Sequence, residues 1–275
     1  MAKRKETKNH LKAFASSLCL CFLVAEATLL VLRFVFHKHF HPNRSVFPFG
    51  SSIIRTNETQ DWELLEHRDE GLRVHRQYLP HSKIYAYKSD VVADIPIKRV
   101  LETFYDTTRC KEWVKDLFDV QELPCKAKHG KCHARESIVI HQYKLTHVIP
   151  GVKNRQFVSK RYAIHDWRKR SETVVLQSLT SDEGEDDYPL CRGCIRGFIN
   201  STEWVFTDLP GDKTLIELSS VVDPLGSLSP RLTNFYQKGW AGDTISGLIE
   251  VSRSRTDNQT FVWDEIVLAD VIADE

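Results

Sequence analysis

A run of short alternating segments that ends in one long amphipathic helix is the pattern that most narrows what this chain can fold into. Leu72, Val74, Arg76 and Tyr78 alternate with Arg73, His75 and Gln77, and Ile84-Tyr85-Ala86-Tyr87 follows after Pro80. Both segments fit half-buried strands joined by a turn. From Ile95 to Asp106 the period changes: Pro96 stands where a first helical turn tolerates it, and Val100, Leu101 and Phe104 recur at helical spacing. A further β-rich series covers Ser137 to Ile140, Gln156 to Ile164, Thr173 to Leu179, Ile195 to Phe206 and Thr214 to Val222. Turn-rich or charged stretches separate these segments, which suits an antiparallel meander. Pro230 then opens a segment in which Leu232, Phe235, Tyr236, Trp240, Ile245, Leu248 and Ile249 line one broad face. An apolar face of that length needs a large partner. Gly239, Gly242 and Gly247 each weaken the helix by ~1 kcal/mol relative to Ala, and they admit close packing or bending. The expected class is α+β: a curved antiparallel sheet with a long helix across it, its concave face either filled or left as a cavity.

The first forty residues are a separate object. Lys3, Arg4, Lys5, Lys8 and Lys12 make a basic head over residues 1–12. The apolar run from Ala13 to Leu32, continuing to Val35 and Phe36, is long enough to cross a ~30 Å hydrocarbon core. Glu26 opposes insertion by roughly 2.5–3.5 kcal/mol, which the surrounding Leu, Val and Phe residues offset. The expectation is an uncleaved single-pass anchor over residues 13–36. A signal peptide cleaved near Ala25-Glu26-Ala27 and a peripheral or targeting segment are the alternatives. The basic excess ahead of the run favours a cytoplasmic N-terminus. Sequons at Asn43, Asn57, Asn200 and Asn258 agree with a translocated remainder, yet the side of the membrane stays open. Residues 37–60, with Pro42, Pro48, Gly50, Ser51 and Ser52, read as a linker.

Lys and Arg number 38 against 37 Asp and Glu, a net charge of +1, which argues against nucleic acid as a partner. Catalytic signatures are missing: there is no G-x-S-x-G elbow, no H-E-x-x-H and no Gly-rich phosphate loop, so neither enzyme chemistry nor a cofactor is expected. Cys191 and Cys194, with Cys125, Cys132, His129 and His133, leave three readings open. These are free thiols, a Cys125–Cys132 disulfide across a short loop, and a zinc site, of which free thiols lead and no metal is expected. The acidic stretch from Ser181 to Pro189 reads as a solvated hairpin loop. The tail over residues 256–275 joins Phe261, Trp263, Ile266 and Leu268 to acidic charges, and is expected to dock on the domain or a partner.

From Trp62 to Arg255 the sequence resembles a START domain, the lipid-binding family with the helix-grip fold. Trp62 with Gly71-Leu72-Arg73-Val74 resembles the family's opening, and Val100-Leu101 through Tyr105-Asp106 to Trp113 its helix and following aromatic. Pro150 with Arg155-Gln156-Phe157-Val158-Ser159-Lys160-Arg161 resembles the P-x-x-RDFV-x-x-R strand, with Gln156 where Asp is usual. Cys194-Ile195-Arg196 matches a further strand start. Asp223-Pro224-x-Gly226 with Pro230 and Asn234 resembles the approach to the closing helix.

The resemblance implies a helix-grip domain over residues 61–255 with a hydrophobic tunnel for one lipid, shielded by the last helix and neighbouring loops. Arg161 falls where sterol- and phospholipid-binding members place a cavity arginine, and strand alternation gives Phe157, Ser159 and Ala163 its face. Sterol-binding members pair that arginine with a buried acid one strand earlier, where Gln142 stands here. An unpaired buried Arg would be completed by a phosphate or carboxylate, which favours phospholipid over sterol; the alternative is an Arg161 that is exposed or paired with a protein acid. Arg196, Leu232, Phe235 and Tyr236 complete the expected lipid-binding set. The expected function is binding of a single lipid and its transfer between membranes from a tethered position. A lipid-gated sensor or scaffold is the runner-up, and an enzyme built on a similar cavity the lesser alternative.

Overall fold

The computed structural model describes residues 62–125, 136–145 and 151–255. The basic head, the expected anchor, the linker, the acidic tail, and the loop holding His129, Cys132 and His133 lie outside the described residues, as do the sequons at Asn43, Asn57 and Asn258. Among the described residues no helix is long and apolar enough to cross a membrane.

Among the described residues ten strands form one sheet: β1 (Glu63–His67), β2 (Arg73–Leu79), β3 (Ile84–Ala93), β4 (Leu117–Pro124), β5 (Glu136–Tyr143), β6 (Asn154–Asp166), β7 (Ser171–Ser178), β8 (Cys194–Arg196), β9 (Phe198–Leu209) and β10 (Lys213–Asp223). Two short helices, α1 (Ile97–Tyr105) and α2 (Cys110–Trp113), link β3 to β4, and α3 (Pro230–Ser254) closes the described region. The strand order is β1-β2-β3-β10-β9-β7-β6-β5-β4, with β8 pairing β6 in parallel. The expected meander therefore holds from β4 to β10 with β8 set aside, but β3 pairs with β10 and brings the first three strands to its far side. The β9–β10 turn carries Gly211 and Asp212 at positive φ (80° and 56°), the backbone that a tight hairpin with the strands' own twist requires.

Three local expectations shift. The first helix begins at Ile97, with Pro96 as its N-cap residue. The acidic loop is more ordered than a solvated hairpin: Thr180 and Glu183 form a reciprocal capping box, and Glu185 pairs with Arg196 at 3.3 Å. Among the described cysteines, Cys191 and Cys194 are joined by a disulfide, Cys125 is disulfide-bonded, and buried Cys110 is a free thiol. Burial pushes the Cys110 thiol up to about 12, which leaves it protonated and inert at neutral pH. Among the described residues no group of His, Cys, Asp and Glu is placed to hold a metal.

The core lies between the sheet and the helices. Phe104 of α1 packs edge-on against Trp204 and Phe206 of β9, with ring centres 5.3 and 5.0 Å apart, and Trp113 of α2 meets Trp204 at 5.9 Å. Ala241, Ile245 and Leu248 anchor the second half of α3 there with no exposed surface. Gly247 lets α3 approach α2 closely: a Cβ at this position would lie 2.6 Å from the Trp113 carbonyl oxygen. The helix is continuous, so its glycines serve close approach at Gly242 and Gly247 rather than a break.

Candidate functional site

Between the sheet and the first half of α3 lies a cavity of about 120 Å³, lined mainly by apolar atoms. The alternation of β6 turns Arg155, Phe157 and Arg161 into it, and β5 contributes Val139, His141 and Tyr143. Thr202 and Trp204 of β9 continue the wall. The roof is α3, whose Thr233, Tyr236, Gln237, Trp240 and Thr244 recur at three- and four-residue spacing along one face. Pro224 and Leu228 close one end from the loop that precedes the helix.

Arg155 holds that loop in shape. Its side chain is 1% exposed, and it donates from Nε to the Pro224 carbonyl at 2.5 Å and from Nη2 to the Leu225 carbonyl at 3.0 Å. A further bond runs from Nη1 to the Lys153 carbonyl. Leu225 and Gly226 both adopt positive φ (51° and 74°), and the Asp223 carboxylate accepts the Leu225 amide at 2.8 Å. Burial pulls the Arg155 guanidinium down to about 10, opposed by the charge of Asp223, so it stays cationic at neutral pH.

Arg161 is not the unpaired arginine expected from the sequence. It forms an ion pair with Glu122 of β4, and its guanidinium lies 5.2 Å from the centre of the Tyr105 ring. The acid comes from two strands away, beyond β5, rather than from the adjacent strand. The phosphate-completing argument for phospholipid thus loses its basis. His141 on the intervening strand is driven down to about 4 by burial and by the nearby Arg161 charge, so it is neutral at physiological pH. The Tyr236 hydroxyl donates to Asp116 at 3.0 Å, and burial raises its phenol well above the usual range.

No protein-family model and no curated protein matches the sequence. Solved structures do. Human StAR-related lipid transfer protein 5 superposes with a TM-score of 0.60 at 11% identity, over 72% of this chain and 88% of that one. Human STARD10 gives 0.58 at 15% identity, over 70% and 72%. The STAR-related lipid transfer protein from Xanthomonas axonopodis gives 0.57 at 18% identity, over 70% and 98%. The chain has the START fold. At these identities the likeness extends to architecture, and the site in this chain rests on its own residues.

Of the nine residues expected from the sequence, Phe157, Arg161 and Tyr236 stand together in the cavity wall. Gln142 lies one residue out of phase: it donates to Asp119 at 3.1 Å while His141 takes the inward position. Ser159 shares the face of Arg161 but is fully buried, donating to the Val139 carbonyl at 3.2 Å outside the wall. Ala163 packs on the main core. Arg196 is engaged at the β8 edge by Glu185, by Gln156 at 2.8 Å and by the Tyr188 carbonyl at 2.6 Å. Gln156, standing where the family has Asp, thus still receives an arginine. Leu232 and Phe235 point away from the cavity, and Phe235 is 73% exposed. Arg155, His141, Gln237 and Thr244 were not anticipated. Arg155 shares the two-residue phase of Phe157 and Arg161, and that was the available signal.

Proposed function

We propose that residues 61–255 bind one lipid in the cavity beneath α3 and carry it between membranes, while residues 13–36 keep the chain attached to one of them. The observation that carries this reading is an apolar cavity reaching Arg161 under a helix roof, in a chain with the START fold. Lipid transfer in the names of the solved neighbours supports the same activity here. Each methylene removed from water contributes about 0.8 kcal/mol, so a carrier has to enclose the acyl or ring system and not merely touch it. At about 120 Å³ the cavity is smaller than the ~300–1,000 Å³ of ordinary ligand clefts, so uptake proceeds by widening. The first half of α3 is the part that yields, because it rests on the cavity while the second half is set in the core. On random-coil scaling a tether of ~20 residues reaches about 25 Å, enough for the domain to sample an apposed surface.

The test is a two-population vesicle assay with the full chain in the donor vesicles and a fluorescent lipid as cargo. Transfer to acceptor vesicles should accelerate in proportion to the chain present. Lipid bound without faster exchange would replace the carrier with a sensor or scaffold. A lipid of altered mass after incubation would point to an enzyme.

A further inference from the structure

The wall of the cavity holds two cations, and both are already answered by the protein. Arg161 has Glu122 and the Tyr105 ring, and Arg155 has the backbone carbonyls of Lys153, Pro224 and Leu225. An anionic headgroup entering here would have to displace Glu122 or lie beside its charge, and in a poorly solvated space either is unfavourable. The uncharged polar groups are in the opposite condition. Trp113 Nε1, His141 Nδ1, Gln237 Oε1 and Thr244 Oγ1 all belong to wall residues, are buried, and have no hydrogen-bond partner. Gln237 is half engaged, since its amide nitrogen donates to the Val222 carbonyl at 2.7 Å and leaves the oxygen over. His141 is neutral at pH 7, so it adds no charge to the set.

Orphaned buried polar groups are rare in folded proteins, and four of them around one cavity mark a place where something else supplies the partners. The set contains an obligate donor (Trp113), an obligate acceptor (the Gln237 oxygen) and groups able to act as either. A hydroxyl matches it, because one oxygen both donates and accepts; an ester carbonyl can take a second donor. We propose that the cavity selects a neutral lipid, an uncharged amphiphile with a hydroxyl at its polar end, and excludes lipids with anionic headgroups. This rests on the lipid-carrier reading above and names its cargo class.

Photocrosslinking tests it with the full chain in phosphatidylcholine vesicles. The vesicles contain diazirine-bearing cholesterol, diazirine-bearing diacylglycerol or diazirine-bearing phosphatidate, and adducts are mapped by peptide mass spectrometry. At least one neutral probe should label peptides containing Trp113, His141 or Gln237 at least tenfold more than the phosphatidate probe does. Phosphatidate labelling of those peptides equal to or above that of both neutral probes overturns the selectivity. An absence of cavity adducts from every probe overturns the carrier reading itself, and the two failures are thereby told apart. Glu122→Gln, which frees Arg161, should raise phosphatidate labelling severalfold with neutral labelling retained; unchanged phosphatidate labelling removes the charge argument. Thr244→Val, nearly isosteric, should reduce neutral labelling severalfold at an unaltered thermal transition, and full retention of label would dismiss the orphaned groups as recognition elements.

Discussion

His141 is surrounded by protein on β5 with Arg161 as its charged neighbour, and both effects favour the uncharged ring. The consequence for stability has a definite sign. The unfolded chain accepts a proton near the ordinary value of 6.5, whereas the folded chain refuses it until about 4. Between those values the unfolded state binds more protons, so stability falls as pH drops through that window and is unaffected above it. From pH 7 to 4.5 the loss attributable to this one ring is about 2 kcal/mol. Urea unfolding of wild type and His141→Gln at the two pH values isolates it, because acid titration of the carboxylates is common to both. Wild type should lose about 2 kcal/mol more than the variant on acidification. Equal losses would mean that the ring is hydrated in the folded state. Arg155, six residues before Arg161 on the same strand face, shows the other way to keep a buried ionisable group. Burial lowers it only to about 10, and backbone carbonyls share its charge at every donor that the loop can reach.

At the scale of elements, the close approach of α3 to α2 sets two opposing terms against each other. Gly247→Ala gains about 1 kcal/mol of helix propensity. It also places a Cβ 2.6 Å from the Trp113 carbonyl oxygen and 3.0 Å from its Cα, backbone atoms that cannot turn aside. Overpacking of this kind costs about 1–3 kcal/mol, so the variant should be destabilised on balance. Gly239→Ala is the internal control: its nearest neighbour is the Asp243 carboxylate at 3.4 Å, so the propensity gain should survive. Opposite shifts of the two urea midpoints at equal m-values are expected, and a stabilised Gly247→Ala would refute the contact. The same elements show what the sequence could disclose. Central strands such as β6 and β10 were legible because each carries β-branched or aromatic residues on both faces, Phe157, Val158, Tyr162 and Ile164 in β6 and Ile216, Val221 and Val222 in β10. The edge strands β1 (ELLEH) and β4 (LFDVQELP) were missed, since apolar and polar residues do not alternate along them and give little contrast between faces. The cavity face of α3 was misread for a related reason. Polar Thr233, Gln237 and Thr244 point inward while Leu232 and Phe235 point outward, and apolar periodicity assigns them the other way round. Polar residues beneath a roof and apolar ones above it are a departure that packing alone does not ask for, and it coincides with the candidate site.

For the molecule as a whole, the two halves of α3 are held by different forces, and this divides the fold into a fixed part and a part that can yield. Ile245 and Leu248 seat the second half in the aromatic core. At the join, Asp243 receives Arg68 at 2.6 Å and is also paired with Lys115, which ties the helix to the β1–β2 connection and to the segment after α2. The first half depends on hydrogen bonds at its edges. Asn234 Oδ1 accepts the Tyr85 amide at 3.1 Å, Tyr87 donates to the Asn234 carbonyl at 3.0 Å, Gln237 donates to Val222, and Tyr236 donates to Asp116. Such bonds contribute about 0.5–1.5 kcal/mol each, so freeing this half costs a few kcal/mol while freeing the core half costs much more. If lifting the roof limits exchange, removing one of these bonds lowers the barrier by about 1 kcal/mol, close to a fivefold change in rate. Asn234→Ala deletes the Tyr85 bond and the weaker contact to the Lys83 carbonyl but leaves the cavity wall intact. In the two-population vesicle assay it should speed transfer severalfold, with less lipid retained per chain at equilibrium. A matched change in the core half, Ile245→Val, should lower thermal stability without raising the transfer rate, since that residue is fully buried away from the roof's edge. Acceleration by both variants alike would mean that exchange follows general loosening of the fold, and a rate unchanged by Asn234→Ala would place the limiting step elsewhere than the first half of α3.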